Sequence, residues 1–347
     1  MRGLLLPVAL SCLATSGLVQ HPDVDQLAEL VRAYRSGRGD DAIAVLRGWE
    51  SGRARKASIA FESASDPWSR SALALLHAET AFVGNTDHPD REHHQRSEAL
   101  VAQVLVEARS AANAELLSFC RDWYLLNIQA DRWPWLEEQF HADPLFLLRY
   151  GTWLEYWMWR IPAGPSGYAW GIGEPALTTS HGQFGLEAER AVSVLRRSLS
   201  LSPDLLEARV RLGRVLWLMD RDSEAEVELE SVVTQVVPPS ERQWPYLAGY
   251  FLGQLYEGNG DPVRARVTFE RARTAYPQGQ AVVLALGRLL VDRGDAPSGW
   301  ALIADVVSLP APSPDPWTVY MSEVRPGPEQ RARYVRLRAR VQLGRVS

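Results

Sequence analysis

At 347 residues, with 46% apolar and 23% charged side chains, the chain has the composition of an ordinary folded protein. Its length exceeds what one compact core usually absorbs, so two domains or one elongated array are expected. A formal charge of −5 offers no net positive field to nucleic-acid phosphates, and DNA and RNA are excluded as expected partners.

Residues 1–20 read as an export signal: Arg2 supplies a positive start, residues 4–13 an apolar stretch, and Ala14-Thr15-Ser16-Gly17 a small-residue exit. The apolar stretch is too short to span a bilayer. Cleavage near Ser16 or Gly17 would give a periplasmic or extracellular protein. Alternatively, Ala9-Leu10-Ser11-Cys12 resembles a lipobox, and lipidation of Cys12 is the one expected route to a membrane. Either route leaves Cys120 without an internal disulfide partner, because the chain has two cysteines. Set among apolar residues of a helix, Cys120 is expected to be a small buried hydrophobe.

From 24 to 160, apolar residues at three- and four-residue spacing predict helices over 24–36, 40–49, 67–83, 96–130 and 143–160. Gly39-Asp40 followed by Ala44 has the form of a turn between paired helices, although Gly48 then stands where a large residue is wanted. Three of the seven histidines fall in the segment Asp87-His88-Pro89-Asp90-Arg91-Glu92-His93-His94. Imidazole and carboxylate together would suit zinc or nickel. Neither HExxH nor a paired Cys/His spacing accompanies them, so a solvated linker is expected and no metal or cofactor is assigned.

The helix over 143–160 carries Tyr150, Trp153, Tyr156, Trp157 and Trp159, and the Gly/Pro-rich insertion over 161–183 adds Tyr168 and Trp170. Tyr150, Trp153 and Trp157 share a helix face. They either pack under their own loop or, if that loop moves, form an aromatic platform for a peptide or glycan. Gly171-Ile172-Gly173 lacks the third glycine of a dinucleotide loop, and no Walker loop occurs. Adjacency of Ser180 and His181 is not nucleophile-to-base geometry. No catalysis is expected.

Residues 184–312 repeat. Leu252-Gly253, Tyr256, Asn259-Gly260-Asp261-Pro262, Ala265, Phe269, Ala272 and Pro277 set a pattern. It returns 34 residues on as Leu286-Gly287, Leu290, Gly294-Asp295, Gly299, Ile303 and Pro312, and earlier as Leu212-Gly213, Leu216, Ala225 and Leu229. Ala191, Leu195 and Pro203 match the second helix of a fourth unit, the place of whose first helix is expected to be taken by the Gly/Pro-rich stretch. Small residues at fixed places let two helices approach, and large ones fill the space between pairs. Beyond the array, residues 313–347 begin with a proline-rich stop, and a helix over 329–342 is expected to cap it with a polar face of Arg331, Arg333, Arg336, Arg338 and Arg340.

This pattern resembles the tetratricopeptide repeat (TPR), strongly over 184–312 and weakly over 24–160. Ala74-Leu75-Leu76-His77-Ala78-Glu79 and Asp315-Pro316-Trp317 further resemble exported bacterial TPR proteins with no assigned activity. The resemblance implies an all-α, right-handed α-solenoid of roughly twelve to fourteen helices. It also implies a groove lined by the first helices of successive pairs. Carried over onto this sequence, the groove positions are Glu207, Arg214 and Trp217, then Tyr250, Gln254 and Glu257, then Leu284, Arg288 and Asp292. Their mixture of charge, amide and aromatic suits a protein or peptide partner. The expected function is an exported scaffold for protein–protein interaction in a bacterial envelope assembly. The alternative is a metal- or small-ligand-binding sensor or enzyme using the 85–94 segment or the aromatics of 150–170.

Overall fold

The computed structural model describes residues 22–47, 66–82, 91–127, 132–160, 181–307, 315–322 and 336–341. Among these residues all regular structure is helical. The helices are α1 (Pro22–Arg35), α2 (Gly39–Arg47), α3 (Pro67–Phe82), α4 (Arg91–Ser110), α5 (Ala114–Leu126), α6 (Trp133–Phe140), α7 (Pro144–Arg160), α8 (His181–Leu201), α9 (Leu206–Leu218), α10 (Asp222–Val233), α11 (Gln243–Gly258), α12 (Pro262–Ala275), α13 (Gln280–Asp292), α14 (Ala296–Val307) and α15 (Pro316–Ser322). They form two compact units, one of Met1–Asn127 with Gln330–Ser347 and one of Ile128–Glu329. The expected leader and Cys12 lie outside the described residues.

The second unit is a stack of TPR-like helix pairs, α7/α8, α9/α10, α11/α12 and α13/α14, with α8 resting on α9, α10 on α11 and α12 on α13. A glycine at one fixed place on the first helix sets the approach within each pair. A Cβ on Gly213 would sit 2.6 Å from Leu229, on Gly253 2.3 Å from Phe269, and on Gly287 2.7 Å from Ile303. Gly151 stands in the same relation to Leu195, at 2.6 Å. The leading pair therefore has its first helix, α7, and the expectation that a Gly/Pro-rich stretch replaces it is corrected. Residues 161–180 fall between the two helices of that pair, and α8 already begins at His181.

The turn that closes a helix pair recurs in both units. Asp261 donates its N–H to the Tyr256 carbonyl while Gly260 donates to Glu257, and the same two bonds are made by Arg38 and Gly37, Asn113 and Ala112, Arg221 and Asp220, and Asp295 and Gly294. This is a Schellman ending, which needs a left-handed residue just past the helix. Gly37, Gly260 and Gly294 supply it at φ 94°, 74° and 88°, whereas Ala112 and Asp220 are held at 50° and 57°. Unlike achiral glycine, an L-residue other than Asn or Asp is strained in that region. Ala112→Gly is therefore expected to raise stability by about 0.5–1 kcal/mol after the added unfolded-chain entropy, measured as a higher thermal midpoint. No increase would mean that Ala112 is not left-handed in solution.

These turns correct two helix boundaries in the first unit. The single helix expected over 96–130 is two, because Ala112 breaks it and Asn113 caps α5 by accepting from Leu116 N at 3.1 Å. The first turn residue is Gly37 and not Gly39; Gly39 opens α2, and Ala42 and Leu46 take the buried small and large positions. Cys120 is fully buried, and burial pushes its thiol well above the usual range.

Of the expected row of solvent-facing arginines, Arg331 and Arg333 lie outside the described residues and Arg336 is exposed, whereas Arg338 and Arg340 are turned to the first unit. Arg338 reaches between α1, α2 and α3, donating to Glu79 and to the Tyr34 hydroxyl, whose own proton goes to Glu79. A Cβ on Gly39 would meet the Arg338 guanidinium at 2.8 Å, so the glycine makes room for it. Arg340 bonds Ser118 Oγ at 3.0 Å and pairs with Asp122 at 2.5 Å. Arg338 and Arg340, two of the five expected cap arginines, thus fasten residues 336–341 to the rest of the first unit.

Candidate functional site

The first helices of the four pairs, α7, α9, α11 and α13, share one face in the second unit, and α15 lies across it. Ahead of that helix, Asp315 is the best-held group. Its carboxylate accepts from Tyr246 Oη at 2.8 Å, from the α13 amides of Gln280 at 2.5 Å and Ala281 at 2.9 Å, and from Trp317 N at 2.7 Å. It thereby caps the N-termini of α13 and of α15 together, where unpaired amides and the helix dipole favour an anion. Gly279 allows this: a Cβ there would sit 2.2 Å from the Tyr246 ring. Burial and the Asp315 carboxylate push the Tyr246 phenol far up, so it remains a donor.

One turn into α15, Trp317 and Tyr320 stack on each other at 5.8 Å between centroids and 15° between planes. Below them lies a buried ionic floor. Glu155 on α7 accepts from Arg214 Nη1 at 2.5 Å, from Arg211 Nη1 at 2.8 Å and from the Tyr320 hydroxyl. Arg211 also donates from Nε to Glu207 at 2.9 Å, and Arg149 donates to the same Glu207 oxygen at 3.1 Å. The Arg211 guanidinium lies 4.1 Å from the Tyr320 ring centroid, and that of Arg214 lies 5.0 Å from Trp317, 5.2 Å from Tyr320 and 5.1 Å from Phe251. Arginine prefers such aromatic faces because its planar ion is weakly hydrated. Burial and the Glu155 charge raise the Tyr320 phenol well above its usual range.

This arrangement divides the nine expected groove positions. Arg214 and Tyr250 do lie on the first-helix face, but beneath α15: Arg214 is 1% exposed, and Tyr250 meets Trp317 at 5.7 Å. Glu207 is buried too, as the second carboxylate of the floor. The expectation that these three are open to a ligand is corrected; charges this deep are tolerated only when paired, and their partners are internal. Trp217, Gln254 and Glu257 are half-buried, while Leu284, Arg288 and Asp292 are exposed. In that outer part Arg288 bridges to Glu257 at 2.7 Å and lies 3.9 Å from Asp292. Glu155, Arg211, Phe251, Tyr246 and Tyr320 were missed. The available signals were a lone Glu within the aromatic run of α7 and Asp-Pro followed by aromatics three apart, the start of a short capped helix.

The other candidates fare differently. Tyr150 stacks on Trp133 of α6 at 4.6 Å and 11°, and Trp153 lies 5.1 Å from the same ring, so both pack against α6 and not as an open platform. The Trp157 side chain, Tyr168 and Trp170 lie outside the described residues, as do Asp87 to Asp90 and Ser180. His93 is buried on α4, its Nδ1 2.8 Å from Nδ1 of His77 on α3, and His94 stands on another side of the helix. Among the described residues no three His, Cys, Asp or Glu side chains are grouped to hold a metal ion. Nor, among them, is any helix long and apolar enough to cross a membrane.

No protein-family model matches the chain, and no curated protein does. Among solved structures it is similar to a MamA double mutant of strain RS-1, at 20% identity and TM-score 0.36, over 60% of this chain and 92% of that one. Similar too is MamA from residue 41 to its end from Desulfovibrio magneticus RS-1, at 20% identity and TM-score 0.36, over 61% of this chain and 93% of that one. A monomeric IFIT1 mutant with m7Gppp-AAAA shares 11% identity at TM-score 0.33, over 92% of this chain and 60% of that one. The assignment of TPR-like helix pairs to this chain stands on its own glycine contacts and repeated turns.

Proposed function

We propose that this protein is a non-catalytic scaffold that binds a protein segment on the first-helix face of its second unit. The observation that carries the reading is the seating of α15. A short aromatic helix already docks there through the side-chain contacts used in peptide recognition: a carboxylate on a helix terminus, aromatic rings on guanidinium ions, and a hydroxyl on a carboxylate. The outer part, with Trp217, Gln254, Glu257, Arg288 and Asp292, extends this face toward solvent. The leader-like residues 1–20 support an exported protein serving an envelope assembly, held at a membrane only if Cys12 is lipidated.

Partner capture tests the proposal. The tagged protein, expressed from its natural coding sequence, would be recovered from envelope extracts beside a Trp217→Ala/Gln254→Ala/Arg288→Ala variant. A variant at the exposed, opposite-helix residues Val263 and Arg266 serves as control. A partner lost only with the face variant is expected; equal capture by all three would overturn the assignment of the face. Mass spectrometry of the mature N-terminus addresses export, since an intact Met1 would remove it.

A further inference from the structure

The helix on that face is part of the same chain, and its chemistry specifies what else could sit there. This inference rests on the proposed function, because it concerns the same face. We infer that α15 is a tethered, displaceable occupant, and that the partner presents an equivalent segment: an acidic residue followed by aromatic residues two and five places on.

Three observations support this. First, α15 is seven residues long, and an isolated helix of that length does not hold itself together in water. Its order comes from the seat, so lifting it removes few internal bonds. Second, the first helices are held from behind by α8, α10, α12 and α14 independently of α15. Third, the floor it covers is ionic. Glu155, Arg211 and Arg214 have hydration to regain when uncovered, so exposure of this floor is less costly than exposure of an apolar core of the same area. A permanently closed face would be better served by leucines. Such a floor over which rings stack, with a carboxylate bound to the α13 terminus, discriminates by chemistry: an aliphatic segment leaves Glu155 without the Tyr320 hydroxyl and the α13 amides of Gln280 and Ala281 without their acceptor.

Occupancy in cis should suppress binding in trans, because a tethered segment acts at high effective concentration and only the uncovered fraction accepts a ligand. The probe is a fluorescein-labelled peptide of residues 312–324, titrated by anisotropy into the full-length protein. The Trp317→Ala/Tyr320→Ala protein, whose own segment no longer holds, is expected to bind it about tenfold or more tighter than wild type. Peptides carrying Asp315→Asn or Tyr320→Phe should bind that variant more weakly. Should the double variant lose helical circular dichroism, the full-length Asp315→Asn protein replaces it, with the aromatic seat intact and the same ordering expected. Absence of peptide binding to a folded variant, or equal binding to wild type and variant, would overturn the inference. Because the probe is the chain's own segment, that failure leaves partner capture on the outer face standing, and failure of capture leaves the peptide result readable.

Discussion

Replacing Glu155 with Gln is expected to destabilise the second unit by about 3–5 kcal/mol, the range seen when one member of a buried ion pair is removed. The side chain is isosteric, so packing is preserved and only the charge is lost. Arg211 and Arg214 are 0% and 1% exposed and would then face each other across a neutral amide. Glu207 remains, yet it already accepts from Arg211 and from the half-buried Arg149. The Tyr320 hydroxyl loses a charged acceptor as well. Urea unfolding followed by circular dichroism measures the loss. Replacing all three, as Glu155→Leu/Arg211→Leu/Arg214→Met, should recover most of it, because no charge is then left without a partner and the desolvation cost disappears. A loss below about 1 kcal/mol for Glu155→Gln would show that water reaches these ions in the wild type, and that α15 does not seal the floor.

Glu155 also marks where the sequence ceased to be legible. The helix pairs of the second unit were readable because their close approach requires a glycine at one place and a large residue at another, and both are printed at a fixed interval from Gly213 to Ile303. The leading pair broke the interval, since 161–180 separates Gly151 from Leu195, and so its first helix was assigned to the wrong segment. The two-residue misplacement at Gly39 arose because two glycines stand two apart and only φ distinguishes the one in the turn. The face itself was located, but not its state. Periodicity says which side of α9 faces the groove; it does not say that another segment will lie on that side. Arg214 therefore read as a solvent-facing ligand contact, when the residues that bury it, Trp317 and Tyr320, come from more than a hundred positions away. A charged residue on an amphipathic helix has the same sequence signature whether water or an aromatic ring covers it.

The histidines of the first unit make its stability depend on pH in a direction that follows from burial. His77 on α3 is 1% exposed and His93 on α4 is 8% exposed, and their Nδ1 atoms approach to 2.8 Å. One ring must donate and the other accept, so the two cannot both be imidazolium. Burial, then the neighbouring His93 and Arg96, hold the His77 imidazole well below its usual 6.5; burial lowers His94 as well, partly offset by Glu98. A base whose folded pKa is depressed takes up a proton on unfolding, so its contribution is fully present above pH 6.5 and is lost as pH falls below that value. For His77 the slope is about 1.4 kcal/mol per pH unit while the folded ring stays neutral. Between pH 7.5 and 5.0, the unfolding midpoint of the wild type should fall more steeply than that of a His77→Leu/His93→Leu variant, which keeps the carboxylates that titrate in both proteins. Parallel curves would mean that the pair already meets water in the folded state. The steeper wild-type curve would place α3 and α4, the closest-packed helices of the first unit, under the control of one buried contact between two rings that must share a single proton.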